Sequence, residues 1–102
     1  DFLKVHLVTG QVVASEPVKG SKKLLKNTVN VGGKERTILS GIAKYYSPEE
    51  MVGKKVVIVE NLAPRKMMGE TSCGMILCAE DKDGNLSLIT DDKKFDSGCE
   101  IR

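Results

Sequence analysis

Along most of the chain, apolar residues alternate with polar ones or gather into short β-branched runs, and Gly, Pro, Asn and Asp bound each stretch. A period of two sends successive side chains to opposite faces, so the pattern predicts strands with one buried face. Leu7 to Glu16 reads as a first strand, with Gly10 inside it at a position where strands bulge or coil to close a barrel. Leu24 to Val31 reads as the second strand, Gly32-Gly33 as a two-residue turn, and Lys34 to Ser40 as the returning third. Ser47-Pro48-Glu49-Glu50 puts an N-cap residue, a proline at the first helical position and two acids in one turn, which predicts one short helix to about Val52, ended by Gly53. Lys54 to Glu60 is a buried fourth strand and Ser72 to Glu80 a fifth, and Asp83-Gly84-Asn85 turns the chain into Leu86 to Thr90. Asp1 to Val5 is expected to form a short helical lead-in.

Five or six short strands with one helix between the third and fourth is the order of an OB-fold, an all-β, five-stranded Greek-key barrel that often binds nucleic acid on strands 2 and 3 and the flanking loops. An SH3-like barrel is the structural alternative. The 102 residues suffice for one domain and one core, so residues 1–102 are read as a single unit. No apolar run approaches the ~20 residues a membrane helix needs. The chain opens on Asp1 rather than Met, which reads as a domain trimmed from a larger parent. Fold by itself assigns no function.

Charge adds an asymmetry. The net charge of +2 conceals +6 over residues 1–69 and −4 over residues 70–102, a separation able to make one face attractive to a polyanion. Three cysteines, Cys73, Cys78 and Cys99, form neither a CxxC pair nor an even set, and so read as reduced thiols of a cytoplasmic protein. His6 is the single histidine, which leaves no His-based metal site and favours a structural histidine over a Cys-His nucleophile pair. The chain has no GxSxG elbow, P-loop, HExxH or dinucleotide fingerprint, so it is read as non-catalytic and free of cofactor and metal. The carboxylate pairs Asp91-Asp92 and Glu80-Asp81 read as solvated neighbours. An enzyme acting through Cys73 or Cys78 would need a depressed thiol pKa, for which the Arg65-Lys66 loop is the nearest source.

Asn61-Leu62-Ala63-Pro64-Arg65-Lys66-Met67-Met68-Gly69 places a proline turn directly before two adjacent cations. Arg65 can grip a phosphate bidentately and Lys66 as a point charge. The Ser72 hydroxyl can hydrogen-bond a phosphate, ribose or base edge, and Met75 can offer an apolar contact to a base, although both also fit a core strand. Lys19, Lys22, Lys23 and Lys26 crowd the connection between strands 1 and 2. Tyr45 and Tyr46 can stack on bases, but with 4% aromatic residues the chain lacks the platform of a single-strand binder, which favours recognition of shape and backbone.

Lys23-Leu-Leu-Lys26, Val31-Gly-Gly with Glu35-Arg36-Thr-Ile, Ser40-Gly-Ile-Ala-Lys-Tyr-Tyr-Ser-Pro-Glu-Glu50, Asn61-Leu-Ala-Pro-Arg-Lys-Met67 and Ser72-Cys-Gly-Met75 with Ala79-Glu80-Asp81 extend, together with Phe2-Leu-Lys-Val and Gly53-Lys-Lys-Val-Val, over nearly the whole chain. In these stretches the sequence resembles the tRNA-binding domain found at the C-terminus of many methionyl-tRNA synthetases, in free-standing structure-specific tRNA-binding proteins and in EMAP II-like cytokine precursors. The resemblance implies an OB-fold that grips the outer corner of tRNA without reading its sequence, commonly as a homodimer when free-standing. It implies a tRNA-binding set of Lys23, Arg36, Asn61, Arg65, Lys66, Ser72 and Met75. Its partners would be tRNA and a synthetase catalytic domain or multisynthetase complex, with a protein-interaction, cytokine-like role as the alternative. Three departures stand out: His6-Leu-Val-Thr-Gly10 replaces the family's usual Asp-Leu-Arg-Val-Gly, Ser21-Lys22 precedes Lys23 in place of Ala-Asp, and Met68 replaces a common basic residue.

Overall fold

The computed structural model describes residues 5–102. Among the described residues, nine strands and one helix follow in the order β1 (Leu7–Pro17), β2 (Leu25–Val31), β3 (Lys34–Ser40), α1 (Pro48–Met51), β4 (Lys55–Val59), β5 (Arg65–Met67), β6 (Glu70–Ser72), β7 (Met75–Ile76), β8 (Cys78–Glu80) and β9 (Leu86–Leu88). Residues 1–4, which hold most of the expected helical lead-in, lie outside the described residues; Val5 and His6 carry no regular structure.

The main sheet has the order β3-β2-β1-β4-β7, antiparallel throughout. With β4 returning beside β1, strands 1 to 4 form a Greek key. The long β1 serves two partners in turn: Leu7 to Gln11 pair with β4 and Gln11 to Pro17 with β2, with a bulge between Val12 and Ala14 that bends it from one to the other. The sheet curls until its edges meet. Cys73 N–H donates to the Thr37 carbonyl at 2.7 Å and Leu39 N–H to Ser72 Oγ at 3.0 Å, joining β3 to the segment that leads into β7. This is the OB-like architecture expected from the order of elements.

Inside lie Val8, Val12, Leu25, Val29, Ile38, Ile42, Met51, Val56, Ile58 and Ile76. Gly10 is required here by space: a Cβ on it would stand 2.7 Å from Val29 Cγ1 and 3.4 Å from the Asn30 carbonyl. The helix is built as expected, with Ser47 Oγ accepting from Glu50 N–H and the Glu50 carboxylate accepting from Ser47 N–H, a complete capping box around a proline start. Buried Met51 anchors it to the core.

Two expectations are corrected. The fifth strand, expected as one run from Ser72 to Glu80, is divided among β6, β7 and β8; β6 and β7 part at Gly74, which takes φ 129° and where a Cβ would stand 2.9 Å from the Val59 carbonyl oxygen. The Arg65-Lys66 segment is the first strand of a hairpin, β5–β6, rather than an irregular loop. Its turn, Met68-Gly69, has φ 52° and 81°, the double positive φ of a type I′ connection. The C-terminal stretch runs along β1 of its own barrel: Gly98 N–H donates to Thr9 O (2.7 Å), Thr9 N–H to Cys99 O (2.9 Å) and Ile101 N–H to Leu7 O (2.9 Å). No helix among the described residues is long and apolar enough to cross a membrane.

Candidate nucleic-acid interface

The β5–β6 hairpin, termed the arm, lies along β3 by way of β6, with its tip against the β1–β2 loop. Glu70 on β6 reaches Lys26 Nζ on β2 at 3.2 Å, and Glu16 approaches the same ammonium at 3.7 Å. The Glu70 carboxylate, by hydrogen bond and charge, holds the Lys26 pKa above its ordinary value. At the tip, Met68 packs against the loop, its Cε only 3.2 Å from where a Cβ of Gly20 would stand. The loop is shaped locally: Ser21 Oγ accepts from the Lys23 and Leu24 amides, and Ala43 N–H donates to the Lys23 carbonyl. Lys19, Lys22 and Lys23 are exposed on the loop that the arm's tip touches, and Arg65 and Lys66 are exposed on the arm itself.

Register separates the two adjacent cations. Arg65 stands opposite Ser72 and Met67 opposite Glu70, whereas Lys66 stands opposite Thr71. Arg65 therefore shares a face with the groups that touch the barrel, and Lys66 points from the other face.

Of the remaining expected residues, Met75 is 47% exposed on β7, as an apolar contact to a base requires. Asn61 is exposed and its Oδ1 accepts from the His6 amide at 2.9 Å. Ser72 is placed differently. It is 3% exposed, and its hydroxyl accepts from Leu39 N–H and donates to the Gly74 carbonyl at 3.2 Å, so it is a seam residue with both capacities in use. Arg36 is half-buried, with Nη1 donating to the Glu60 carbonyl (2.6 Å) and, at 3.4 Å, to the Cys73 carbonyl, and Nη2 3.7 Å from the Glu60 carboxylate. Lys26, counted among the loop cations, is committed to two carboxylates. Sequence reasoning missed Glu60, Met68 and Glu70 as the residues that hold the arm. The Met68-Gly69 turn was the available signal, since an x-Gly pair permits a tight two-residue hairpin.

An open groove of about 490 Å³ lies elsewhere, lined by residues including Tyr46, Val52, Lys54, Lys55, Leu88 and Lys94, and by none of the expected set. Concavity suits a small ligand, whereas a folded RNA is met by an exposed basic surface, so the arm is the better candidate for RNA. The tyrosines support the fold: Tyr45 OH donates to the Gly84 carbonyl and Tyr46 OH accepts from Leu88 N–H, both pinning the β8–β9 hairpin. Cys78 is partly buried, which raises its thiol pKa and argues against a nucleophile there. Among the described residues no three His, Cys, Asp or Glu side chains group as a metal site.

A Greek-key barrel with a basic arm along its third strand fits a nucleic-acid-binding domain of the OB class. Residues 7–100 match the family described as "Putative tRNA binding domain", and the chain belongs to that family. It is 50% identical over 99 residues to a methionine–tRNA ligase of Methanocaldococcus jannaschii and 56% identical over 89 residues to one of Chlorobaculum tepidum. These alignments take in 97% and 87% of this chain but 15% and 13% of the ligases, so the chain spans about a seventh of their length. The crystal structure of a MetRS-related protein from Pyrococcus horikoshii superposes with a TM-score of 0.92 at 40% identity, covering 99% of this chain and 93% of that one.

Proposed function

We propose that the chain binds tRNA by shape and phosphate backbone, performs no chemistry itself, and serves a methionyl-tRNA synthetase as an appended module. The observation that carries this reading is the contact of the arm's tip with the β1–β2 loop in a chain of the tRNA-binding-domain family, the loop exposing Lys19, Lys22 and Lys23 and the arm exposing Arg65 and Lys66. Lys23, Arg65 and Lys66 neutralise phosphates, Met75 meets a base or ribose face, and Asn61 hydrogen-bonds nearby. The small number of aromatic residues favours phosphate and shape over base stacking. Tethered to a catalytic domain, such a module raises tRNA affinity through effective concentration. The cytoplasm is the compartment this role requires.

Competition tests it. Labelled bulk tRNA bound to the domain is challenged with unlabelled tRNA, linear single-stranded RNA of the same length and duplex DNA. The expected order puts tRNA well ahead of both competitors; equal competition by linear RNA or duplex DNA would exclude recognition of tRNA shape.

A second reading, a free-standing homodimer, draws on one feature. Val5 (43% exposed) and Ile101 (38%) line a groove of about 510 Å³ that also holds His6, Glu60 and Glu100, and a second copy would cover these two exposed apolar side chains. Sedimentation equilibrium of the parent and of Val5→Asp/Ile101→Asp checks it, with a dimer that the double variant dissociates as the expected result and a monomeric parent as the contrary one.

A further inference from the structure

The arm leaves the barrel after Glu60 and rejoins it at Cys73, and the carbonyls of both residues accept from the same guanidinium nitrogen, Arg36 Nη1, at 2.6 and 3.4 Å. We infer that Arg36 is a positioning residue that ties together the two roots of the basic arm, and that it is not a phosphate ligand. The inference rests on the tRNA-binding reading above.

Three observations agree. Arg36 comes from β3, the strand that closes the barrel against this segment, and its neighbour Thr37 accepts the Cys73 amide at 2.7 Å, so the guanidinium lies at the seam. Its charge is already met: Nη2 stands 3.7 Å from the Glu60 carboxylate, and that carboxylate and the Arg36 side chain are only 28% and 32% exposed. A phosphate arriving there would have to displace or face Glu60. The side chain also has the right shape, because a planar fork can hold two carbonyls and a carboxylate in fixed directions, which a lysine ammonium cannot. Loosening the root lets residues 61–72 swing, misplacing Arg65 and Lys66 without removing either charge.

The test separates positioning from contact by salt dependence, since each phosphate contact contributes about 0.7 to 0.9 to the slope of log K against log salt. Arg36→Gln and Arg36→Lys are both expected to weaken tRNA binding by about tenfold while leaving that slope at the parent value, and Lys is expected not to rescue. Glu60→Gln, which would free a phosphate-binding Arg36, keeps the Glu60 carbonyl that accepts from Nη1 but loses the carboxylate, so it is expected to keep the parent's slope with affinity equal to or somewhat below the parent's. Hydrogen exchange without RNA supplies an independent readout: amides of residues 61–72 exchange faster in Arg36→Gln than in the parent, whatever the domain binds. Overturning results are a slope lower by one contact in Arg36→Gln, full rescue by lysine, unchanged affinity and exchange, or a rise in affinity and slope in Glu60→Gln. If an Arg36 variant fails to fold, Glu60→Gln decides between contact and positioning. A parent with no preference for tRNA would defeat the functional reading instead, leaving the exchange result to judge the tie.

Discussion

At Gly10 the barrel interior leaves no room for even a methyl group, because β2 crosses so closely that Val29 Cγ1 occupies the space. Gly10→Ala is accordingly expected to destabilise the domain by about 1–3 kcal/mol through overpacking, read as a lower urea midpoint with an unchanged m-value. An unchanged midpoint would show that β2 can shift at no cost. The position was legible as a special glycine, but the bulge it suggested sits at Val12/Ala14, since crowding and bulging are distinct ways of bending one strand. Ser72 shows where residue-level reading runs out. A serine among apolar residues looks the same whether its hydroxyl faces RNA or a backbone amide, and here it receives the Leu39 amide. Ser72→Ala leaves that buried N–H without its partner and should cost about 1–3 kcal/mol of stability, while the folded variant keeps the parent's salt slope for tRNA. A reduced slope at full stability would make Ser72 a direct contact after all.

Among the elements, those with local signals were the legible ones. The Gly32-Gly33 turn, the capped helix and strands 1 to 4 follow from residues a few positions apart, and their ends agree with the sequence reading to within a residue or so. The docking of the arm was not legible, because it depends on Met68 meeting Gly20 and Glu70 meeting Lys26, contacts distant in sequence. Two local carboxylates give the elements a pH signature. Hydrogen bonds from Ser47 lower the Glu50 pKa, and hydrogen bonds from the Asn85 side chain and amide, with smaller ones from Asp83 and Gly84, lower that of Asp81. A carboxyl that binds protons less tightly when folded stabilises fully above its unfolded pKa of about 4, and that contribution is lost as pH falls through the lower, folded value. Glu50→Gln/Asp81→Asn keeps hydrogen-bonding groups in place and removes both titrations, so urea midpoints below about pH 4 should fall less steeply with acid than in the parent. Parallel curves would mean that other carboxyls govern the acid limb.

For the whole molecule, the charge asymmetry seen along the chain has a partial structural counterpart. The loop lysines and the arm gather from the first two-thirds of the sequence, while the acidic final third supplies β8, β9 and the segment that seals β1. The separation is not clean, because Glu70 of the acidic third anchors the arm and takes Lys26 out of the basic surface. Counting charges thus indicated a polyanion partner but overestimated the free cations. The proposed function turns on contact between Arg65 and Lys66 of the docked arm and tRNA phosphates. It is tested most directly by the slope of log K against log salt for tRNA binding by the parent and by Arg65→Ala/Lys66→Ala. Loss of two phosphate contacts should weaken binding and lower the slope by about 1.4 to 1.8. A double variant with the parent's affinity and slope would place the RNA on another face of the barrel.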